Sequence, residues 1–262
     1  MNISLKDKNA IVCGSTSGIG KAIAIEFASL GASVTLIARN EKKLKQVIIE
    51  LDNDCGQRHN FVAVDFDKPD ILKSKMIDYV KQNPPVHILV NNTGGPPAGD
   101  ITKADVSEFQ KSFSRHLVCN QILVQALLEG MKKEKYGRII NVISTSVKQP
   151  INDLGVSNTI RGAVASWAKT LANEVGKFGI TVNNILPGAT KTERLYEIIK
   201  NRATKRGKTE IEIVSEMTNE IPARRFAEPE ELAYAAAFLS SPSASYINGV
   251  SLAVDGGRIG CL

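Results

Sequence analysis

Disulfide and metal frameworks are missing from this chain. Its four cysteines, Cys13, Cys55, Cys119 and Cys261, are scattered with no C-x-x-C pair, which predicts free thiols that serve packing. Aromatic residues are scarce, 5% of 262 positions with one tryptophan, five tyrosines and three histidines, so chemistry that needs a phenol or an imidazole has few candidates. Twenty glycines and ten prolines are too few for a fibrous or low-complexity chain. No run of eighteen apolar residues occurs, so no membrane-spanning helix is expected. The opening residues, Met1–Lys8, carry no apolar region of the secretory kind, and the expected location is the cytoplasm. Excess charge is also small: 33 Lys and Arg face 27 Asp and Glu, a net +6. Most of these charges are interleaved, which predicts a mildly basic surface and no nucleic-acid partner.

The chain does have apolar content, 43% of its residues, arranged in an alternating order. Short β-branched runs at Ala10–Cys13, Ser33–Ile37, Asn60–Val64, His87–Val90, Arg138–Ile143, Ile180–Ile185 and Val250–Val254 read as strands. Helical spacing lies between them: Ile19, Ile23, Phe27 and Leu30; a charged segment Glu41–Leu51; Phe109–Met131; and Val156, Ile160, Ala163, Trp167, Leu171 and Val175. A polar helical insertion spans about 192–220, and Glu228–Leu239 is a further helix. Strands separated by helices, almost without hairpin signals, predict an α/β fold. The expected form is a doubly wound, Rossmann-type sheet of seven parallel strands with helices on both faces, in one domain over residues 1–262.

Between the first strand and its helix lies Gly14-Ser15-Thr16-Ser17-Gly18-Ile19-Gly20. A turn here reverses the chain sharply and points backbone N–H groups at a helix N-terminus, where phosphate is stabilised. In strand–turn–helix context this spacing points to dinucleotide binding. After the second strand an acidic residue would bond adenosine ribose hydroxyls. The chain has Ala38-Arg39-Asn40 instead, and Arg39 is placed to pair with a 2′-phosphate, which predicts NADP(H).

Further segments complete a pattern: Asp65-Phe66, Asn91-Asn92-Thr93-Gly94, Gly137–Asn141, Asn183-Asn184-Ile185-Leu186-Pro187-Gly188, Tyr246–Gly249 and Val254-Asp255-Gly256-Gly257. Together with Gly14, Gly18 and Gly20 they make the chain resemble the short-chain dehydrogenase/reductases, particularly those similar to 3-oxoacyl-acyl-carrier-protein reductases. The resemblance covers nearly the whole length. It implies that Thr16, Ser17, Gly18, Ile19 and Gly20 form the pyrophosphate turn. Asp65, beside Phe66, would hold the adenine amino group, and Asn92, Thr93 and Gly94 would line the adenosine ribose. Pro187, Gly188, Thr190 and Thr192 would flank the nicotinamide end. It further implies a homotetramer assembled through the two long helices, acting on a small carbonyl or alcohol, or on an acyl group held by a carrier protein.

The family's chemistry uses a serine, a tyrosine, a lysine and an asparagine. Ser144 closes the fifth strand as the family's serine does. Thirteen residues on, the tyrosine's place holds Ser157; four further, the lysine's place holds Arg161; and the asparagine's place, fifteen before Met131, holds His116. No tyrosine occurs between Tyr136 and Tyr196, so a shift of register supplies no phenol. A serine hydroxyl is far too weak an acid to replace a phenol near pKa 10. Arg161 keeps the positive charge one turn from Ser157 but does not cycle protons.

Two readings stand at this point. In one, hydride transfer proceeds with Ser144 orienting the carbonyl and His116, whose unperturbed imidazole titrates near 6.5, as proton source. In the other, the protein binds NADP(H) without turnover, as a sensor or scaffold. Milder departures are Cys13 for the usual threonine, Thr93 for alanine, and the stiff Gly95-Pro96-Pro97 after the ribose contacts. The insertion at 192–220 occupies the substrate-lid position and carries Lys200, Arg202, Lys205, Arg206 and Lys208 with no acid between them. That run reads either as a solvated helix face or as a surface for an acidic carrier or phosphorylated acyl group.

Overall fold

Seven parallel strands form one sheet in the order β3-β2-β1-β4-β5-β6-β7 in a computed structural model that describes residues 1–261. The strands are β1 (Asn9–Cys13), β2 (Ser33–Ala38), β3 (Asn60–Ala63), β4 (Ile88–Asn91), β5 (Gly137–Val142), β6 (Ile180–Pro187) and β7 (Ser251–Val254). All seven expected strands are present, with ends displaced by one or two residues. The helices are α1 (Gly18–Ser29), α2 (Glu41–Glu50), α3 (Pro69–Gln82), α4 (Val106–Phe113), α5 (Cys119–Glu134), α6 (Gly155–Val175), α7 (Glu193–Arg206), α8 (Glu210–Asn219) and α9 (Pro229–Ser240). The sheet grows in one direction from β1 to β3, then starts again at β4 on the other side of β1. This switch opens a crevice beyond the carboxyl ends of β1 and β4.

Both faces of the sheet are buried, so the strands are apolar at successive positions. Val12, Leu36, Ile88 and Val90 pack against Ile23 and Phe27 of α1, Leu44 of α2 and Leu232 of α9. Ile11, Ile37 and Leu89 pack against Leu72 and Met76 of α3, Leu123 and Leu127 of α5, and Leu171 of α6. Phe27 is fully buried in the first layer, and its truncation to alanine costs about 3–5 kcal/mol.

Three elements differ from the sequence reading. Helix α3 was not distinguished there; it starts with Pro69 in its first turn, carries Asp70 at its positive end and buries Leu72, Met76 and Tyr79. The segment read as one helix through Phe109–Met131 is interrupted by a π-helical turn, Ser114–Val118, between α4 and α5. The insertion is two helices, α7 and α8, with a small core of their own in which Leu195, Ile199, Ile213, Met217 and Phe226 meet. None of the helices among the described residues is long and apolar enough to cross a membrane.

Candidate functional site

Backbone conformation builds the first part of the site. Gly14 and Gly18 adopt φ of +59° and +52°, and a Cβ on Gly20 would stand 2.2 Å from the Gly14 carbonyl oxygen. The turn therefore accepts only glycine at these points. Ser17 is the residue before α1, and its side chain makes no capping bond. The first N–H groups of α1 stay free for an anion. Asn92 Nδ2 donates to the carbonyls of Cys13 at 3.2 Å and Gly14 at 3.3 Å, tying the loop after β4 to the glycine turn.

That loop is held from beneath by a ladder of buried amides. Asn91 Nδ2 donates to Asn141 Oδ1, and Asn141 Nδ2 to Asn184 Oδ1, both at 2.9 Å; Asn184 Nδ2 then donates to Ser251 Oγ at 3.1 Å. These four residues sit opposite one another on β4, β5, β6 and β7. The ladder has no sequence signal beyond the asparagines themselves. Only strand register shows that they meet.

Beyond the carboxyl ends of β2 and β3, Arg39, Asn40, Lys42, Asp65, Lys68 and Lys75 line an open cleft of about 700 Å³, where the adenosine end was expected. Asn40 caps α2 by accepting from the Lys43 N–H at 3.1 Å, which directs the chain just past Arg39. Asp65 accepts from the Asp67 N–H at 3.0 Å, and the Phe66 carbonyl accepts from Cys119 Sγ at 3.3 Å. Lys42, Lys68 and Lys75 were not singled out from sequence; they join Arg39 because the segments after β2 and β3 line one cleft.

At the other end, a Cβ on Gly188 would meet Asp255 Cα at 2.7 Å, so Pro187-Gly188 packs directly against the last turn of the chain. Thr190 Oγ1 donates to the Gly188 carbonyl at 3.1 Å, and Thr192 caps α7. Thr192 also stands over the glycine turn, where a Cβ on Gly18 would lie 3.0 Å from its methyl carbon. Arg194 Nη2 donates to the Pro96 carbonyl at 3.1 Å, fastening the lid to the Gly95-Pro96-Pro97 loop.

The four positions expected to hold the reacting groups fall at the carboxyl end of β5 and on the helices beside it. Ser144 Oγ accepts from the Ser146 N–H at 3.1 Å, which leaves its own proton free to donate outward. Ser157 and Arg161 lie one turn apart on α6 and are both buried. Arg161 Nη1 donates to the Val142 carbonyl at 3.0 Å; its Nε has no partner, and no carboxylate pairs with it among the described residues. A Cβ on Gly95 would lie 3.9 Å from Nη2, so the guanidinium faces the open Gly94-Gly95 segment. Burial pulls Arg161 down to about 10.

His116 corrects one expectation. It sits in the π-helical turn, 2% exposed, with Nε2 unpartnered. Burial, then the positive charges of Arg161 and Arg115, push it down to about 2, against a weak opposing effect of the Gly94 backbone. That direction favours the neutral imidazole over the acid form that a value near 6.5 would supply.

The basic run lies on an exposed face and is largely paired there. Lys205 pairs with Asp153 at 3.1 Å, Arg206 with Glu216 at 3.1 Å, and Lys208 with the same Glu216. Much of its charge is neutralised within the chain. The cysteines are free, with Cys13 and Cys119 buried; burial raises both thiols, Cys119 up to about 12. No group of metal-ligating side chains is assembled among the described residues.

A family model described as enoyl-(acyl carrier protein) reductase matches residues 14–258. The chain belongs to the short-chain dehydrogenase/reductase family. It is 32% identical to the 3-oxoacyl-[acyl-carrier-protein] reductase of Vibrio cholerae, over 97% of this chain and 98% of that one. It is 31% identical to the 7alpha-hydroxysteroid dehydrogenase of Escherichia coli, over 98% and 96%. Among solved structures it is similar to L-sorbose reductase from Gluconobacter frateurii, complexed with NADPH and L-sorbose. There the TM-score is 0.93 and the identity 33%, over the full length of both chains. Within this family the Gly14–Gly20 turn and the free N-terminus of α1 fit a pyrophosphate, and the unpartnered Arg161 and His116 nitrogens fit a polar ligand beside them.

Proposed function

We propose that this short-chain dehydrogenase/reductase is an NADP(H)-dependent oxidoreductase that interconverts a carbonyl and its alcohol. The observation that carries the reading is the buried, uncompensated Arg161 guanidinium facing Gly94-Gly95, in line with a glycine turn that accepts a pyrophosphate and a basic cleft around Arg39. NADPH held at the glycine turn and the Arg39 cleft would supply the hydride for the carbonyl carbon. Ser144, its lone pair already engaged by Ser146, donates to the carbonyl oxygen and orients it. Arg161 bonds ribose hydroxyls and offsets the negative charge that develops on that oxygen. Ser157 lies beside it as a second hydroxyl. His116, neutral, relays a proton that originates in water rather than furnishing one itself.

A second reading, NADP(H) binding without turnover, is favoured by one observation: the site has neither a phenol nor a cationic imidazole. The two are separated by titrating NADPH fluorescence and then following NADPH oxidation across a panel of carbonyl compounds. Binding with turnover supports the enzyme, and binding with a silent panel supports the second reading. Absence of binding at sub-millimolar NADPH overturns both.

The reading includes a cytoplasmic homotetramer. Free buried thiols suit a reducing compartment. Exposed apolar side chains on the α4 side (Ile101, Val106, Phe113) and around α9 and β7 (Tyr234, Tyr246, Leu252) suit burial between subunits. Sedimentation of the purified protein as a monomer would remove the assembly.

A further inference from the structure

Between the lid and the loop that leads into α6 lies a second cavity of about 470 Å³. Thr145, next to Ser144, and Gln149 line it with Arg202 and Arg206 of α7 and Arg258 of the last turn, and two carboxylates, Asp153 and Glu220, share the lining. Three guanidiniums around one small cavity repel one another unless negative charge is placed among them. The chain supplies part of it. Arg206 is paired with Glu216 at 3.1 Å and Arg258 with Glu220 at 2.9 Å, and Asp153 at the rim is taken by Lys205. Arg202 is the exception: half-buried on the cavity wall, it makes no hydrogen bond or ion pair among the described residues, and it acts on Asp153 only through its charge at longer range. Gln149 Oε1 accepts from the Gly260 N–H at 3.3 Å, which leaves its amide N–H groups without a partner.

We propose that this cavity receives the anionic end of the substrate, a carboxylate or a phosphate monoester on a small carbonyl compound, and that Arg202 selects it. The inference rests on the oxidoreductase reading for the carbonyl end. A guanidinium fork presents two parallel donors to either anion, and Gln149 adds a neutral donor in the same cavity. The cavity is of the size that encloses a small molecule. Lys205, Arg206 and Lys208 are already paired within the chain, which disfavours an acidic protein as the bound partner.

The test compares matched probes on the NADPH-saturated protein by calorimetry: acetoacetate against methyl acetoacetate, and dihydroxyacetone phosphate against dihydroxyacetone. The expected result is roughly ten-fold or greater preference for the anion in at least one pair. The pair that shows it tells carboxylate from phosphate. Arg202→Met should abolish that preference and Arg202→Lys retain part of it, each with unchanged NADPH affinity. Equal binding within both pairs, no binding of either anion, or a preference that survives Arg202→Met overturns the proposal while the oxidoreductase reading stands. Failure of the wild-type protein to bind NADPH overturns the reading beneath it.

Discussion

Arg161 Nη1 donates to the Val142 carbonyl at 3.0 Å, joining the middle of α6 to the end of β5 and holding a positive charge inside the protein with no carboxylate beside it. Such a charge is unfavourable in the empty protein and becomes useful when a polar ligand meets it.

Arg161→Met should therefore leave the stability of the ligand-free protein unchanged or raise it by up to about 2 kcal/mol, the lost hydrogen bond being offset by removal of the buried charge. NADPH affinity should fall roughly ten-fold or more. Melting curves with and without NADPH check both halves; a destabilised variant with full affinity contradicts the role assigned to Arg161.

His116 makes stability pH-dependent. Its folded-state pKa, about 2, lies below its ordinary 6.5, so the unfolded chain takes up the proton first as pH falls. Stability is full above 6.5 and is lost progressively from there toward 2, on the order of 2 kcal/mol by pH 5. His87, also lowered by burial, acts in the same direction. Urea titrations at pH 7 and pH 5 should show the loss, and His116→Gln should reduce it.

Arg39→Asp should shift preference from NADPH toward NADH, because a carboxylate repels the 2′-phosphate and accepts from ribose hydroxyls. Fluorescence titration with both dinucleotides measures it. An unchanged ratio would place the selection with Lys42 and Lys68.

Restoring the family's pair, Ser157→Tyr with Arg161→Lys, should raise carbonyl reduction by roughly a hundred-fold or more, the range of general acid catalysis. Steady-state NADPH oxidation reads the gain. A double variant that binds NADPH and reduces no faster than wild type would show that the missing phenol does not limit the reaction.

Asn141→Ala breaks the amide ladder at its centre and leaves Asn91 and Asn184 buried without their partner. The expected cost is about 2–4 kcal/mol, with loosening of the Asn92 contact to the glycine turn. Denaturant unfolding measures the first effect and NADPH affinity the second.

Much of the candidate site was legible in the sequence. The glycine spacing at 14, 18 and 20 marks a turn with one backbone solution, Arg39 follows a strand by a fixed count, and Ser144, Ser157, Arg161 and His116 are found by position alone. Other features were not. The π-helical turn that carries His116 inward leaves no trace in apolar spacing. Neither do the neutralising contacts of the lid, since Glu216 lies eight and ten residues from the lysine and arginine it binds.

The amino-acid order alone determined the doubly wound fold, the glycine turn and the absence of a tyrosine between Tyr136 and Tyr196, because each depends on local periodicity or on a residue being there at all. Only the tertiary structure decided the burial of His116, the isolation of Arg161 and the position of Arg202 on a cavity wall. Those properties depend on which charges and how much water surround a group, and that neighbourhood is assembled from segments far apart in the chain.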